Sequence, residues 1–185
     1  RRAKVAVVDS HPPALEAASA RELTTIAGSG SQRGVLAAAA VDRAESIIVA
    51  VDRDDACVLV TLTARQLAPS ARIVAAVRSS SSVKILKQCG ADTVVVSQET
   101  AGRLLGVATS SPTVVEAFEH LLSHERGAFI TERAISAHEH GRSPIDCEKH
   151  VLGVVREGAL HRLGRSTDDR LAPGDRLLYL RSDQG

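Results

Sequence analysis

Between Lys4 and Val96 short apolar runs alternate with helix-like runs: KVAVVD, PALEAASAREL, LTTIAG, QRGVLAAAA, SIIVAV, ACVLVTLTARQL, RIVAAV, VKILKQC and TVVVS. Such alternation leaves few folds open. Parallel strands can be joined only through crossovers, and right-handed crossovers place helices on both faces of the sheet. The sequence therefore predicts an α/β lobe with a doubly wound parallel sheet. Its helix boundaries are marked: Pro12 and Pro13 suit a first helical turn, Pro69 stops a helix at Leu67, and Ser79 to Ser82 supply a turn and a cap.

The stretch from Val83 to Gly106 compresses three elements. Ile85, Leu86 and Cys89 share a helical face, Gly90 stops that helix, and Thr93 to Val96 form an apolar run of the kind covered on both sides in a parallel sheet. Ser97 then reads as the cap of a second helix, with Glu99 in the first turn, where the helix dipole favours an anion. Ala101, Leu104, Leu105 and Ala108 repeat at helical spacing, and Gly102 and Gly106 beside them would allow close packing.

After Ser110 the pattern changes. Ser111 and Pro112 break the chain, and an amphipathic helix with Val114, Val115, Phe118, Leu121 and Leu122 on its stripe runs to about His124. Beyond Arg126, FITERAI, HVLGVVRE, GALHRLG and DRLLYLRS read as short strands, with turns at Glu157-Gly158 and Pro173-Gly174. The expected organisation is an α/β lobe over 1–110, a crossover helix over 111–126 and a small β-rich lobe over 127–185.

Composition removes several functions. The net charge is +1 and the aromatic set is Phe118, Phe129 and Tyr179, so neither a phosphate-neutralising surface nor a base-stacking platform is present, and nucleic acid is not an expected partner. Cys57, Cys89 and Cys147 are odd in number and far apart, which suits reduced thiols in a cytosolic compartment. No run is long and apolar enough to span a bilayer. Methionine is missing even at residue 1, so the chain is expected to be a piece of a longer product.

In an open parallel sheet, ligands bind beyond the carboxyl ends of the strands. Those ends are Val8-Asp9, Ala27-Gly28-Ser29, Val51-Asp52, Val77-Arg78 and Val96-Ser97. Asp9 suits hydrogen bonds from ribose hydroxyls, and its charge would repel the extra phosphate of NADP; it also suits the start of the helix at Pro12. GSGSQRG, Gly28 to Gly34, follows a strand and precedes a helix, but its spacing is GxGxxxG, and it reads as a turn lining the pocket. Asp52, Asp54 and Asp55 crowd the next strand end. They offer hard oxygens for a divalent cation, although acidic residues at a helix start are also favourable with its dipole. His138, His140, Cys147 and His150 have zinc-like spacing on a segment that Gly141 and Pro144 mark as a surface turn, and His120 and His124 lie one helical turn apart. No metal site is expected from either set. No GxSxG elbow or Tyr-x-x-x-Lys pair occurs, and no catalytic residue is assigned.

The residues Gln88-Cys89-Gly90-Ala91-Asp92-Thr93-Val94-Val95-Val96 followed by Ala101-Gly102-Arg103-Leu104-Leu105 resemble the "GAD-x-V...GR-L" signature of RCK domains, the TrkA-type nucleotide-binding regulators of prokaryotic potassium channels and transporters. Val7-Val8-Asp9 is similar to that family's second strand with its ribose-binding acid, and Ala27-Gly28 to the start of its Gly-Asp-Ala pocket turn. The tail resembles its small C-terminal lobe, with a Pro-Gly-Asp turn before the last strand.

The resemblance implies a Rossmann-like N-lobe whose site uses Asp9, Gly28, Ser29, Val51, Asp52 and Arg78, the last as a phosphate contact. The implied ligands are NAD(H) or an adenine nucleotide (ATP, ADP or AMP), with a divalent cation as a further candidate. The implied partners are a second copy through the crossover helices, a tetrameric or octameric ring, and a membrane-embedded pore approached from the cytoplasmic face. An NAD-dependent oxidoreductase fragment and a ligand-free assembly module are the alternatives. Two departures stand out: the family's first strand and GxGxxG loop have no counterpart in this sequence, and Ser29 stands where the family turn carries an acid, which implies altered adenine recognition.

Overall fold

The computed structural model describes residues 4–122, 128–163 and 170–182. The chain divides into two compact units, Arg1–Leu105 and Gly106–Gly185.

In the first unit, strands and helices alternate as β1 (Ala6–Asp9), α1 (Pro12–Ser19), β2 (Thr24–Ala27), α2 (Arg33–Ala38), β3 (Ser46–Ala50), α3 (Asp54–Leu67), β4 (Arg72–Val77), α4 (Val83–Gln88), β5 (Thr93–Val96) and the start of α5 (Ser97–Ser110). All of its strand pairs are parallel. The expected continuous sheet is instead two ladders, β1-β2 and β3-β4-β5. Among the described residues β1 and β3 are not hydrogen-bonded neighbours, so each presents a free edge. They still share a core. Val49, Cys57, Val60, Ala64, Ile73 and Leu86 are buried together, and Val8 of β1 packs against them.

Side-chain alternation decides which face is covered. Val49, Ile73, Ala75 and Val77 point to the face packed by α3 and α4 and are at most 2% exposed. Ile48 and Val95 point the other way and are 77% and 42% exposed. Thr93 to Val96 are thus not covered on both sides, because β5 is the edge of a three-stranded ladder with helices on one face. Two further expectations change nearby. Leu86 is fully buried but Ile85 is 46% exposed, so the α4 stripe is narrower than its spacing predicts. A Cβ added at Gly102 or Gly106 would meet nothing within 4 Å, so close packing there does not occur within this chain.

The GAD residues close the lower end of this unit. Gly90 adopts φ +101, and Arg65 reaches from α3 to donate to its carbonyl from Nε and Nη2 at 3.1 and 2.8 Å. Arg65 also donates to the carbonyls of Ala71 at 2.7 Å and Pro69 at 2.8 Å and to Asp92 Oδ2 at 2.8 Å. Asp92 Oδ2 in turn accepts the backbone N–H of Ile73 at 2.6 Å, and these bonds hold the Asp92 carboxyl below the usual carboxylate range. The motif locks α3, β4 and β5 together at the amino ends of the strands.

The second unit carries α6 (Pro112–Leu122), β6 (Ala128–Ala134), α7 (Pro144–Cys147), β7 (Val151–Arg156), β8 (Ala159–Arg162) and β9 (Arg176–Ser182). His124 and Arg126, the expected end of the crossover helix, lie outside the described residues. The strands form one antiparallel sheet, order β6-β9-β7-β8, over a core of Val154, Leu171, Leu177 and Tyr179. Glu157 and Gly158, at φ 51 and 79, make the left-handed two-residue turn that matches strand twist. Buried carboxylates paired with arginines brace the sheet. Glu139, 5% exposed, accepts from Arg133 Nη1 and Nη2 at 2.9 and 2.7 Å and from the Ser136 backbone and hydroxyl at 2.7 Å each. Asp175, of the Pro-Gly-Asp turn, accepts from Arg156 at 2.9 and 2.7 Å and from Ala172 N at 2.8 Å.

Candidate functional site

Within each ladder the carboxyl ends of the strands are level. Asp9 pairs with Ala27, Ala50 with Ala76, and Val77 with Val96. The predicted residues accordingly fall into two groups, Asp9, Gly28 and Ser29 beyond β1-β2, and Val51, Asp52 and Arg78 beyond β3-β4.

In the first group the Gly28 N–H donates to the Asp9 carbonyl at 2.8 Å, continuing the ladder one step. Asp9 Oδ1 accepts the His11 N–H at 2.8 Å, so one carboxylate oxygen orders the entry to α1. Gly28 has φ +146, and a Cβ there would lie 2.7 Å from Val35 Cγ2, which fixes glycine at the point where the chain turns against α2. Ser29 does not reach toward Asp9. Its Oγ accepts the Ser31 N–H at 3.3 Å and shares a hydrogen bond with Ser31 Oγ at 2.8 Å. The turn is fastened to α3 through Thr63 Oγ1, which donates to the Ser31 carbonyl at 3.4 Å.

The second group is organised by Asp54 rather than by Asp52. Asp54 Oδ1 accepts the Arg78 N–H at 2.9 Å, and Oδ2 accepts from Ser79 N at 3.2 Å and Ser82 Oγ at 2.8 Å. These donors lower its pKa, the Arg78 bond most. Asp55 is held down to about 2 by its hydrogen bonds with Arg53. Both carboxylates are therefore committed, Val51 and Asp52 are exposed, and among the described residues no group of three metal-ligating side chains gathers, at these aspartates or among His138, His140, Cys147 and His150. The divalent cation implied by the resemblance has no built site in this arrangement.

Sequence reasoning also missed Gln98. With its amide oxygen turned to the guanidinium, Oε1 accepts from Arg78 Nε at 3.2 Å and Nη2 at 3.3 Å. Ser97, expected to cap α5, instead donates its hydroxyl to the Val77 carbonyl at 3.0 Å, because the helix starts directly from the strand and leaves no capping residue between them. The available signal was positional: Gln98 stands two residues beyond the end of β5. Asp54 and Arg65 carried no motif of their own.

Chemically, the first group offers a carboxylate oxygen that can accept hydrogen bonds, and the second an exposed guanidinium that can donate them. Parallel strands joined through helices make this a Rossmann-like lobe of the α/β class. Residues 1–97 match the TrkA-N domain, and the chain belongs to that family. It is 29% identical over 121 residues to Potassium channel protein 1 of Methanocaldococcus jannaschii, a match covering 64% of this chain and 36% of that protein. The chain thus spans about a third of that relative's length. Among solved structures, "GsuK bound to ADP" is 29% identical with a TM-score of 0.52, over 57% of this chain and 28% of that one. The human SLO3 gating ring superimposes at a TM-score of 0.71 over 95% of this chain and 39% of that one; at 13% identity this likeness concerns the fold.

Proposed function

We propose that this chain is a cytoplasmic regulatory domain of a potassium channel or transporter, working by nucleotide-dependent conformational change in an oligomer. The observation that carries the reading is the placement of Asp9, Gly28 and Arg78 at the carboxyl ends of parallel strands in a TrkA-N lobe. The relatives support it: one is named as a potassium channel and another was solved with ADP. The role is regulatory rather than catalytic. Asp9 would accept the ribose hydroxyls through the oxygen not engaged with His11, and Arg78 would take a phosphate. The residues present fit the ribose and one phosphate. A nucleotide, once bound, supplies differential affinity for two conformations and no bond chemistry. Moving a gate from mostly shut to mostly open takes about 5.5 kcal/mol, or roughly 1.4 kcal/mol from each of four subunits.

The domain boundaries follow the same reading: an N-lobe over 1–110, a crossover over 111–126 that pairs two copies, and a C-terminal lobe over 127–185. Leu105, Val114 and Leu122, between 52% and 69% exposed, supply apolar surface for that pairing. Thermal shift against NAD, NADH, ATP, ADP and AMP tests the ligand class. A ligand at a hundred times its dissociation constant adds about 2.7 kcal/mol, and no shift with any of them would remove the nucleotide from the account. A second reading, an assembly module without ligand, is favoured by Ser29, whose hydroxyl is turned to Ser31 rather than to the pocket. It predicts assembly that is unchanged by any nucleotide.

A further inference from the structure

Arg78 is held in two ways that differ in strength. Its backbone is fixed: Asp54 accepts the N–H groups of Arg78 and Ser79, and Ser97 Oγ binds the carbonyl of the preceding Val77. Its guanidinium, by contrast, is exposed, and it faces the Gln98 side chain, whose amide oxygen, once turned toward it, accepts from Nε and Nη2 at 3.2 and 3.3 Å. A phosphate oxygen would accept from the same donors with charge assistance and at shorter range, about 2.7–2.9 Å. The two acceptors compete for the same Nε and Nη2 edge.

From this geometry we infer that Gln98 is a positioning residue for the ligand site, a latch that parks the Arg78 guanidinium on the first turn of α5 until an anionic phosphate takes it away. The inference rests on the nucleotide reading above. It adds a route by which the ligand is sensed. Gln98 lies in the first turn of α5, the helix whose last residues, from Gly106, belong to the second unit. Losing Arg78 frees the Gln98 side chain, while the Ser97 bond keeps the helix start attached to β4. A neutral amide suits this task. A carboxylate at residue 98 would pair with Arg78 and also repel the phosphate, and an alanine would leave Arg78 free at all times.

The test measures ADP binding by calorimetry in the whole protein and in Gln98→Ala, Gln98→Glu and Arg78→Ala, together with each of the first two placed on Arg78→Ala. The latch predicts about three- to ten-fold tighter binding in Gln98→Ala, the worth of one or two ordinary hydrogen bonds released, and about ten-fold weaker binding in Gln98→Glu. Both effects vanish in the Arg78→Ala background. Hydrogen exchange adds a readout that a purely structural role would not move: ADP alters protection in the first turn of α5 in the parent protein and not in Gln98→Ala. If the parent binds ADP and both Gln98 variants bind it equally well, the latch is wrong while the site reading stands. If ADP binds with the same affinity in the parent and in Arg78→Ala, the phosphate assignment itself fails. Absence of ADP binding in every form would overturn both.

Discussion

Gly90→Ala should be among the most damaging single-methyl additions to this chain, and its cost is separable into two parts. The backbone at φ +101 lies where L side chains are strained, about 1–2 kcal/mol. The new Cβ would also stand 2.7 Å from Arg65 Cγ and 2.9 Å from its Nε, so the Arg65 side chain must move. Arg65 donates to Gly90, Ala71, Pro69 and Asp92. Losing two of those bonds at roughly 1.5 kcal/mol each adds about 3 kcal/mol. The total is about 4–5 kcal/mol. Urea unfolding followed by far-UV circular dichroism reads this as a midpoint about 2 M lower, if the slope is about 2 kcal/mol per molar. The decisive form is a double-mutant cycle. In an Arg65→Ala background the obstructing Cγ and Nε are gone and only the Cβ contact at 3.1 Å remains, so Gly90→Ala should cost little more than the backbone part, a coupling of about 3 kcal/mol. Equal costs in the two backgrounds would refute the view that GAD works by seating Arg65.

Acid should loosen the second unit first at its ion pairs. The carboxyls of Glu139 and Asp175 are both held below their usual range by hydrogen bonds, chiefly from Arg133 and Arg156. Their contribution is therefore complete above the ordinary carboxylate range near pH 4 and is lost as pH falls through the depressed folded values. Tyr179, the one tyrosine in a chain without tryptophan, reports this unit by fluorescence. Its urea midpoint should hold from pH 7 to 5 and drop by pH 3, and Glu139→Gln should flatten that dependence. Leu177→Ala, at a fully buried site, should cost about 2–5 kcal/mol by the same probe, and a cost under 1 kcal/mol would show that the core is misplaced.

Much of this architecture was legible because punctuation residues leave little choice. Pro69 ends α3 at Leu67, Glu157-Gly158 forms the β7-β8 turn, and Ser111-Pro112 separates α5 from α6. What periodicity could not supply was coverage. Val94 and Val95 look equally apolar, yet only the residues facing α3 and α4 are sheltered, and the sequence pattern carries no record of which face lacks a helix. The positions of Asp9, Gly28 and Arg78 at or just beyond strand ends were legible by reading those ends together. Long-range partners were not found, because Asp54 reaches residues 78–82 and Arg65 reaches Gly90 across 24–28 and 25 residues, a separation at which neither helical nor strand spacing is informative. Ser97 shows the opposite error: a serine at a helix start is usually a cap, but a helix that leaves a strand without a linking residue has a nearer acceptor in the neighbouring strand.

The account turns on Asp9 accepting a ribose at the end of β1. The direct measurement is the dissociation constant of ADP for the protein and for Asp9→Ala, by calorimetry at one salt concentration, with circular dichroism to verify folding. The account predicts binding in the parent and a loss of at least ten-fold in Asp9→Ala; unchanged affinity in a folded Asp9→Ala would contradict it.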